Sequence, residues 1–71
     1  MTPIELRKIL AKLGISRGKF GLMLGATRRS GENWTDPDRC NHVPGPIATI
    51  ARLLDRRPEL LPLINDDEVR R

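Results

Sequence analysis

The chain has 71 residues, of which 38% are hydrophobic and 31% are charged, and its formal net charge is +4. This length allows a single domain with a modest core. The sequence contains no apolar stretch near the length of a membrane span, and a single cysteine, Cys40, excludes an internal disulfide. The composition therefore predicts a small soluble domain from a reducing compartment such as the cytoplasm.

The positive charge is concentrated in the first half of the chain. Seven cations and no acid lie between Leu6 and Gly31, whereas five arginines balance five acids from Val43 onward. A one-sided basic surface favours a polyanionic partner such as a nucleic acid. The alternative is a solvated basic face that has no particular partner.

Hydrophobic periodicity and capping residues predict about five short helices and no strand. The first helix is expected to be capped by Thr2 and to end at Gly14, a residue type that readily adopts the left-handed conformation. The second helix is expected to be capped by Ser16 and to end just before a tight turn at Gly25. Leu22 falls on the outer side of this helix and is expected to be exposed.

The third predicted helix is capped by Thr27 and runs to about Trp34. The stretch TDPDRCNHVPGP then predicts a loop, because its prolines interrupt a helix. A fourth helix is expected to start near Pro46, and a short fifth helix is expected to start at Pro58, which breaks the fourth.

The stretch ISRGKFGLMLGATRRSGENW, residues 15–34, resembles the helix-turn-helix of the phage-repressor and Cro-like family, also called XRE-type regulators. The matching residues are Phe20 and Gly21, Leu24-Gly25-Ala26 at the turn, and Trp34, and the similarity continues in LRKILAKLGIS and PGPIATIARLLDRRPELL. The resemblance implies an all-α fold, a compact bundle of about five short helices of the lambda-repressor-like type. Residues 1–64 would form the DNA-binding domain with a C-terminal dimerisation helix, and residues 65–71 a charged, flexible tail.

One position departs from the family pattern. Gly31 stands where the family usually has Val or Ile packed beneath the third helix. A glycine at this position costs about 1 kcal/mol of helix stability relative to alanine and removes a core side chain. We expect either that a neighbour such as Phe20 or Trp34 fills the space, or that DNA binding is needed to order the third helix.

The resemblance places the third helix in the DNA major groove. The expected base-contacting residues are Thr27, Arg28, Arg29 and Asn33. Arginine can bond guanine O6 and N7, asparagine can bond adenine N6 and N7, and the Thr27 methyl group could pack on thymine. Each residue also has an alternative role, because either arginine could bind phosphate, Thr27 could serve only as an N-cap, and Asn33 could simply be solvated.

Phosphate contacts are expected from the rim of this surface, in part because the N-terminus of a helix attracts anions. The expected residues are Ser16, Arg17, Lys19, Arg39, Asn41 and His42. Ordinary loop polarity is an alternative explanation for the last three.

Other chemistry has little support in the sequence. Cys40 and His42 are too few soft ligands for a structural zinc site. No nucleophile motif and no glycine-rich phosphate loop is present. We therefore expect no metal, no cofactor and no enzymatic activity.

Spare apolar residues near the C-terminus predict a homodimer. A single helix-turn-helix domain contacts only a few base pairs, which gives little specificity in a genome. Such domains usually bind palindromic sites as twofold dimers. The expected interface residues are Leu53, Leu60, Leu63 and Ile64. The alternative is that these side chains only cap the core.

The expected function is that of a small dimeric repressor bound to a palindromic operator in double-stranded DNA. Family analogy suggests a phage or mobile-element regulator, of the kind that often represses its own operon. One alternative is an antitoxin-like module that binds a protein partner through Leu22, the fifth helix and the tail. A further alternative is non-specific nucleic-acid binding by the basic face alone.

Overall fold

The computed structural model describes residues 1–64 of the chain, and within this range every regular element is helical. The α-helices are α1 (Pro3–Leu13), α2 (Arg17–Met23), α3 (Arg28–Trp34) and α4 (Gly45–Arg56), followed by a 3₁₀-helix at Pro58–Leu60. Helical geometry continues through residues 61–64. The prediction of an all-helical domain of about five short helices is confirmed, and the predicted flexible tail at 65–71 lies outside the described residues.

Side-chain caps begin the first three helices as the sequence predicted. In each case a hydroxyl oxygen accepts a hydrogen bond from the backbone N–H three residues further on, which satisfies a donor that the helix itself leaves without a partner. The three bonds run from Glu5 to Thr2 (3.2 Å), from Lys19 to Ser16 (3.2 Å) and from Ser30 to Thr27 (3.0 Å). Local sequence alone thus determines where these helices start.

Two glycines end the first two helical segments in the left-handed conformation. The φ angle is 75° at Gly14 and 79° at Gly25, values that favour glycine because it has no Cβ. The N–H of Ala26 bonds the carbonyl of Gly21 at 2.9 Å across the second turn. This bond and the left-handed conformation of Gly25 fix the direction in which α3 leaves α2.

The core lies between α1, α2 and α4. Its buried apolar residues are Leu6, Leu10, Ile15, Phe20, Met23, Val43, Ala48, Ala51 and Leu54. Burying a side chain of the size of Leu or Phe contributes roughly 1.5–3 kcal/mol. Trp34 packs edge-on against Phe20, with ring centroids 6.2 Å apart and an interplanar angle of 79°. This pair connects the end of α3 to the core.

One prediction about exposure was wrong. Leu22 is half-buried and not exposed on the outer side of α2. On α4, the buried residues are Ala48, Ala51 and Leu54, whereas Ile47 and Ile50 are only partly buried.

Candidate nucleic-acid interface

Helices α2 and α3 cross with their backbones in direct contact. A Cβ built on Gly31 would lie 2.7 Å from the amide nitrogen of Gly21 and would overlap the carbonyl oxygen of Arg17. A Cβ on Gly21 would likewise overlap the carbonyl oxygen of Thr27. Real Cβ atoms do not approach other atoms this closely, so both positions require glycine.

This crossing corrects the expectation that a side chain fills the space at Gly31. No side chain fills space beneath α3, and no space is left there, because the backbone of α2 occupies it. Thr35, just after α3, is also buried, and its hydroxyl donates to the carbonyl oxygens of Gly31 and Glu32, both at 3.0 Å. The third helix is therefore held by backbone contact with α2 and by the hydroxyl of Thr35. That DNA binding is needed to order this helix stays a prediction.

The remaining side chains of α3 leave a polar face for solvent. Arg28, Arg29 and Glu32 are exposed, and Asn33 is half-buried. Thr27 is exposed too, although its hydroxyl caps the helix and lies 3.0 Å from the Ser30 hydroxyl. Its expected N-cap role is thus confirmed, and contact of its methyl group with a base stays a prediction.

A surface groove of about 460 Å³ connects α3 with two other elements. It is lined by Arg17, Arg29, Glu32, Asn33, Asp36 and Arg39. Four of these residues were expected at a DNA interface, and they come from three separate stretches of the chain: the start of α2, the middle of α3 and the following loop. Glu32 was expected beside the base-contacting residues, with an ion pair to Arg28 or Arg29 as its alternative role, and no such pair is formed within residues 1–64. Asp36 was not anticipated, and its Oδ2 lies 3.7 Å from Arg39 Nε.

Arg28 does not line this groove. Its aliphatic stem lies over Gly18 of α2, where a Cβ would overlap Arg28 Cγ and come within 3.3 Å of Cδ. The two adjacent arginines therefore extend in different directions, Arg28 toward α2 and Arg29 into the groove. Sequence patterns predict base contacts for both arginines, with phosphate binding as the alternative for either, and only the packing of α2 against α3 distinguishes them.

The other expected phosphate-contacting residues lie outside the groove. Lys19, Asn41 and His42 are exposed, and the carbonyl of His42 accepts a hydrogen bond from Cys40 Sγ at 2.9 Å. Ser16 is exposed but its hydroxyl already caps α2. These four residues stay candidates for the rim of an interface and not for its centre.

Two cations of the basic half are engaged within the protein. Arg7 Nε donates to the backbone carbonyl of Thr35 at 2.6 Å, and Lys12 Nζ pairs with Asp55 Oδ1 at 3.0 Å. Arg17, Arg28 and Arg29 form no ion pair with any residue in the range 1–64. Arg17, Arg28 and Arg29 therefore keep their charge available to a partner, as do the exposed Lys8 on α1 and Arg52 and Arg56 on α4.

The four predicted dimer residues divide into two pairs. Leu53 and Leu63 are 51% and 63% exposed, whereas Leu60 and Ile64 are partly buried against the core. Leu53 also lines a second groove, of about 480 Å³, with Thr49, Arg52, Asp55 and Arg56 on α4. Leu53 and Leu63 thus have the larger apolar surface available for a partner.

Comparison with protein-family models, with curated proteins and with solved structures found no match. Among residues 1–64, no helix combines the length and the apolar character needed to cross a lipid bilayer. Over the same range, no three side chains of His, Cys, Asp or Glu are grouped so that they could hold a metal ion.

Proposed function

We propose that this protein is a sequence-specific DNA-binding regulator in which α2, the turn at Gly25 and α3 act as a helix-turn-helix. In this proposal α3 lies in the major groove, as in the phage-repressor and Cro-like family that the sequence resembles. The protein acts as a small repressor by covering a promoter. A phage or mobile-element setting and control of its own operon are proposed by analogy with that family.

The observation that carries the proposal is the convergence of Arg17, Arg29, Asn33 and Arg39 on one groove. Arg29 and Asn33 lie one helical turn apart on the exposed face of α3, and their side chains match guanine and adenine edges. Arg17 and Arg39 lie on flanking elements, where phosphates of a bound duplex would pass. Side chains suited to base contacts and side chains suited to phosphate contacts thus lie on one surface.

The charge of the groove and its surroundings also supports DNA as the partner. The groove carries three arginines against two acids, and the nearby Arg28 and Lys19 add two further exposed cations. Such a field attracts DNA over a distance of about a Debye length. The acidic side chains Glu32 and Asp36 would repel wrongly placed phosphates, which favours one orientation of the duplex.

A second copy of the chain completes the proposed operator complex. Leu53 and Leu63 supply exposed apolar surface, and a twofold dimer would place two copies of α3 about one turn of DNA apart. Each copy alone would read too few base pairs for a unique site in a genome. The proposed operator is therefore a palindrome with G and A in each half.

The test is selection of bound duplexes from a random DNA library at physiological salt. The native protein is compared with the double variant Arg28→Ala, Arg29→Ala. The double variant Lys8→Ala, Arg57→Ala is the matched control, because it removes the same charge from exposed positions outside both grooves. A palindrome enriched by the native protein and the control, but not by the first variant, supports the proposal.

Two other results would contradict it. Salt-sensitive binding without any enriched sequence would indicate non-specific attraction to polyanions. Absence of DNA binding at low salt would favour an antitoxin-like module whose partner is a protein.

A further inference from the structure

Gly18 has a close relationship with the side chain of one proposed DNA-binding residue. It is buried near the start of α2, and the three heavy atoms nearest to a Cβ built on it all belong to Arg28. The overlap is with Arg28 Cγ, while Cδ and Cβ would lie at 3.3 and 3.6 Å. The absence of a side chain at Gly18 therefore creates the space through which the stem of Arg28 passes.

The effect of a substitution at Gly18 depends on which atom of Arg28 the new Cβ would overlap. Cγ is the first atom beyond Cβ, so Arg28 could avoid a new methyl group at position 18 only by rotating about χ1. Arg28 is the first residue of α3, and its χ1 angle is expected in one of the staggered wells, which lie about 120° apart. A change of well would move the distal guanidinium by several ångströms, on the order of the length of the side chain itself.

We propose that Gly18 is a positioning residue for DNA recognition, because it holds Arg28 along the flank of α3 that faces α2. Arg28 and Arg29 then reach different parts of a bound duplex, Arg28 beside α2 and Arg29 with Asn33 in the groove. This role depends on the proposed DNA binding. The coupling between Gly18 and Arg28 is a property of the protein alone and can be measured without DNA.

A double-mutant cycle in the full chain measures the coupling. Native protein, Gly18→Ala, Arg28→Ala and the double variant are compared by thermal unfolding. Gly18→Ala is expected to lower Tm in the native background. In the Arg28→Ala background it is expected to be neutral or to raise Tm by a few degrees, because alanine is the better helix former. Lys8→Ala is the control, since Lys8 is exposed on α1 and its side chain forms no hydrogen bond or ion pair within residues 1–64.

The same four proteins are then tested on the duplexes selected by the native protein. Gly18→Ala retains the charge of Arg28, so a merely structural role would leave its DNA sequence preference unchanged. The positioning role instead predicts that Gly18→Ala reproduces the preference of Arg28→Ala and weakens binding on the order of tenfold. The double variant is expected to bind no more weakly than Arg28→Ala.

The outcomes distinguish this role from the proposed function. Additive Tm changes, or a Gly18→Ala variant with the native sequence preference and affinity, would overturn the positioning role while DNA binding by the native protein stood. If the native protein selects no sequence, the proposed function fails and the DNA part of the role fails with it. The thermal cycle would then still show whether Gly18 sets the direction of Arg28.

Discussion

Gly21 and Gly31 meet backbone to backbone, and the Cβ position of each lies 2.7 Å from the amide nitrogen of the other. The contact is reciprocal, so a side chain at either position would push the two helices apart. Because α3 is only seven residues long, a displacement at Gly31 would move the whole helix. The position of the proposed recognition helix thus depends on the absence of a Cβ at both Gly21 and Gly31.

Replacement of Gly31 is therefore expected to destabilise the protein. Gly31→Ala should cost about 1–3 kcal/mol through overpacking, and Gly31→Val more. Urea denaturation followed by circular dichroism measures the loss, with the exposed Lys8→Ala expected within about 0.5 kcal/mol of the native protein. A Gly31→Val protein as stable as the native one would show that the helices do not cross this closely.

Thr27 allows its capping role to be separated from contact with a base. Thr27→Ala removes the hydroxyl that accepts from the Ser30 N–H and should cost about 1 kcal/mol of stability. Thr27→Ser keeps the hydroxyl and should retain most of that stability, but it loses the methyl group proposed to pack on thymine. Thermal unfolding and affinity for the selected duplex are measured for both variants. Equal destabilisation by serine and alanine would contradict the capping role.

Arg29, Asn33 and Arg39 are expected to differ in what they contribute to DNA binding. Arg29→Ala or Asn33→Ala should cost about 1–3 kcal/mol of affinity and relax the preference at one base position. Arg39→Ala should weaken binding to all sequences and reduce the salt dependence by about one counterion. Binding isotherms on matched and mismatched duplexes at several salt concentrations test this division. If all three variants lose the same affinity on matched and mismatched duplexes, the division into base-contacting and phosphate-contacting residues is wrong.

Leu53 and Leu63 are expected to mediate self-association. Leu53→Gln with Leu63→Gln should change the stability of the monomer little, because both side chains are more than half exposed. Light scattering should show a dimer for the native protein and a monomer for the double variant. Leu60→Gln is a useful contrast, since Leu60 packs on the core and its replacement should lower stability as well. A native protein that is monomeric at all concentrations would disprove this interface.

Much of the fold could be predicted from local sequence. Thr2, Ser16 and Thr27 cap their helices, and Gly14 and Gly25 end segments in the left-handed conformation, because each effect involves atoms only a few residues apart. The polar character of α3 was also evident, since Arg28, Arg29 and Glu32 were expected on its outer side and are exposed. Of the residues that line the groove, only Asp36 was not expected at this surface.

The remainder could not be predicted because it depends on distances between helices. Helical spacing shows that Gly31 faces inward, but it does not show how near the next backbone lies. The same is true of Gly18, whose role is visible only once Arg28 is seen to cross it. The burial of Leu22 and the partial burial of Leu60 and Ile64 likewise follow from how short helices fit together.

The Gly21–Gly31 contact also bears on how the molecule could acquire new targets. In α3 the anchoring groups are main-chain atoms at Gly31 and the ring of Trp34, whereas the side chains of Arg29, Glu32 and Asn33 form no hydrogen bond or ion pair with any residue in the range 1–64. These three positions can therefore be randomised together in a combinatorial library while the groups that hold α3 stay unchanged. The scaffold and the proposed DNA-binding surface are separable in this chain, which makes it a compact starting point for retargeted binders.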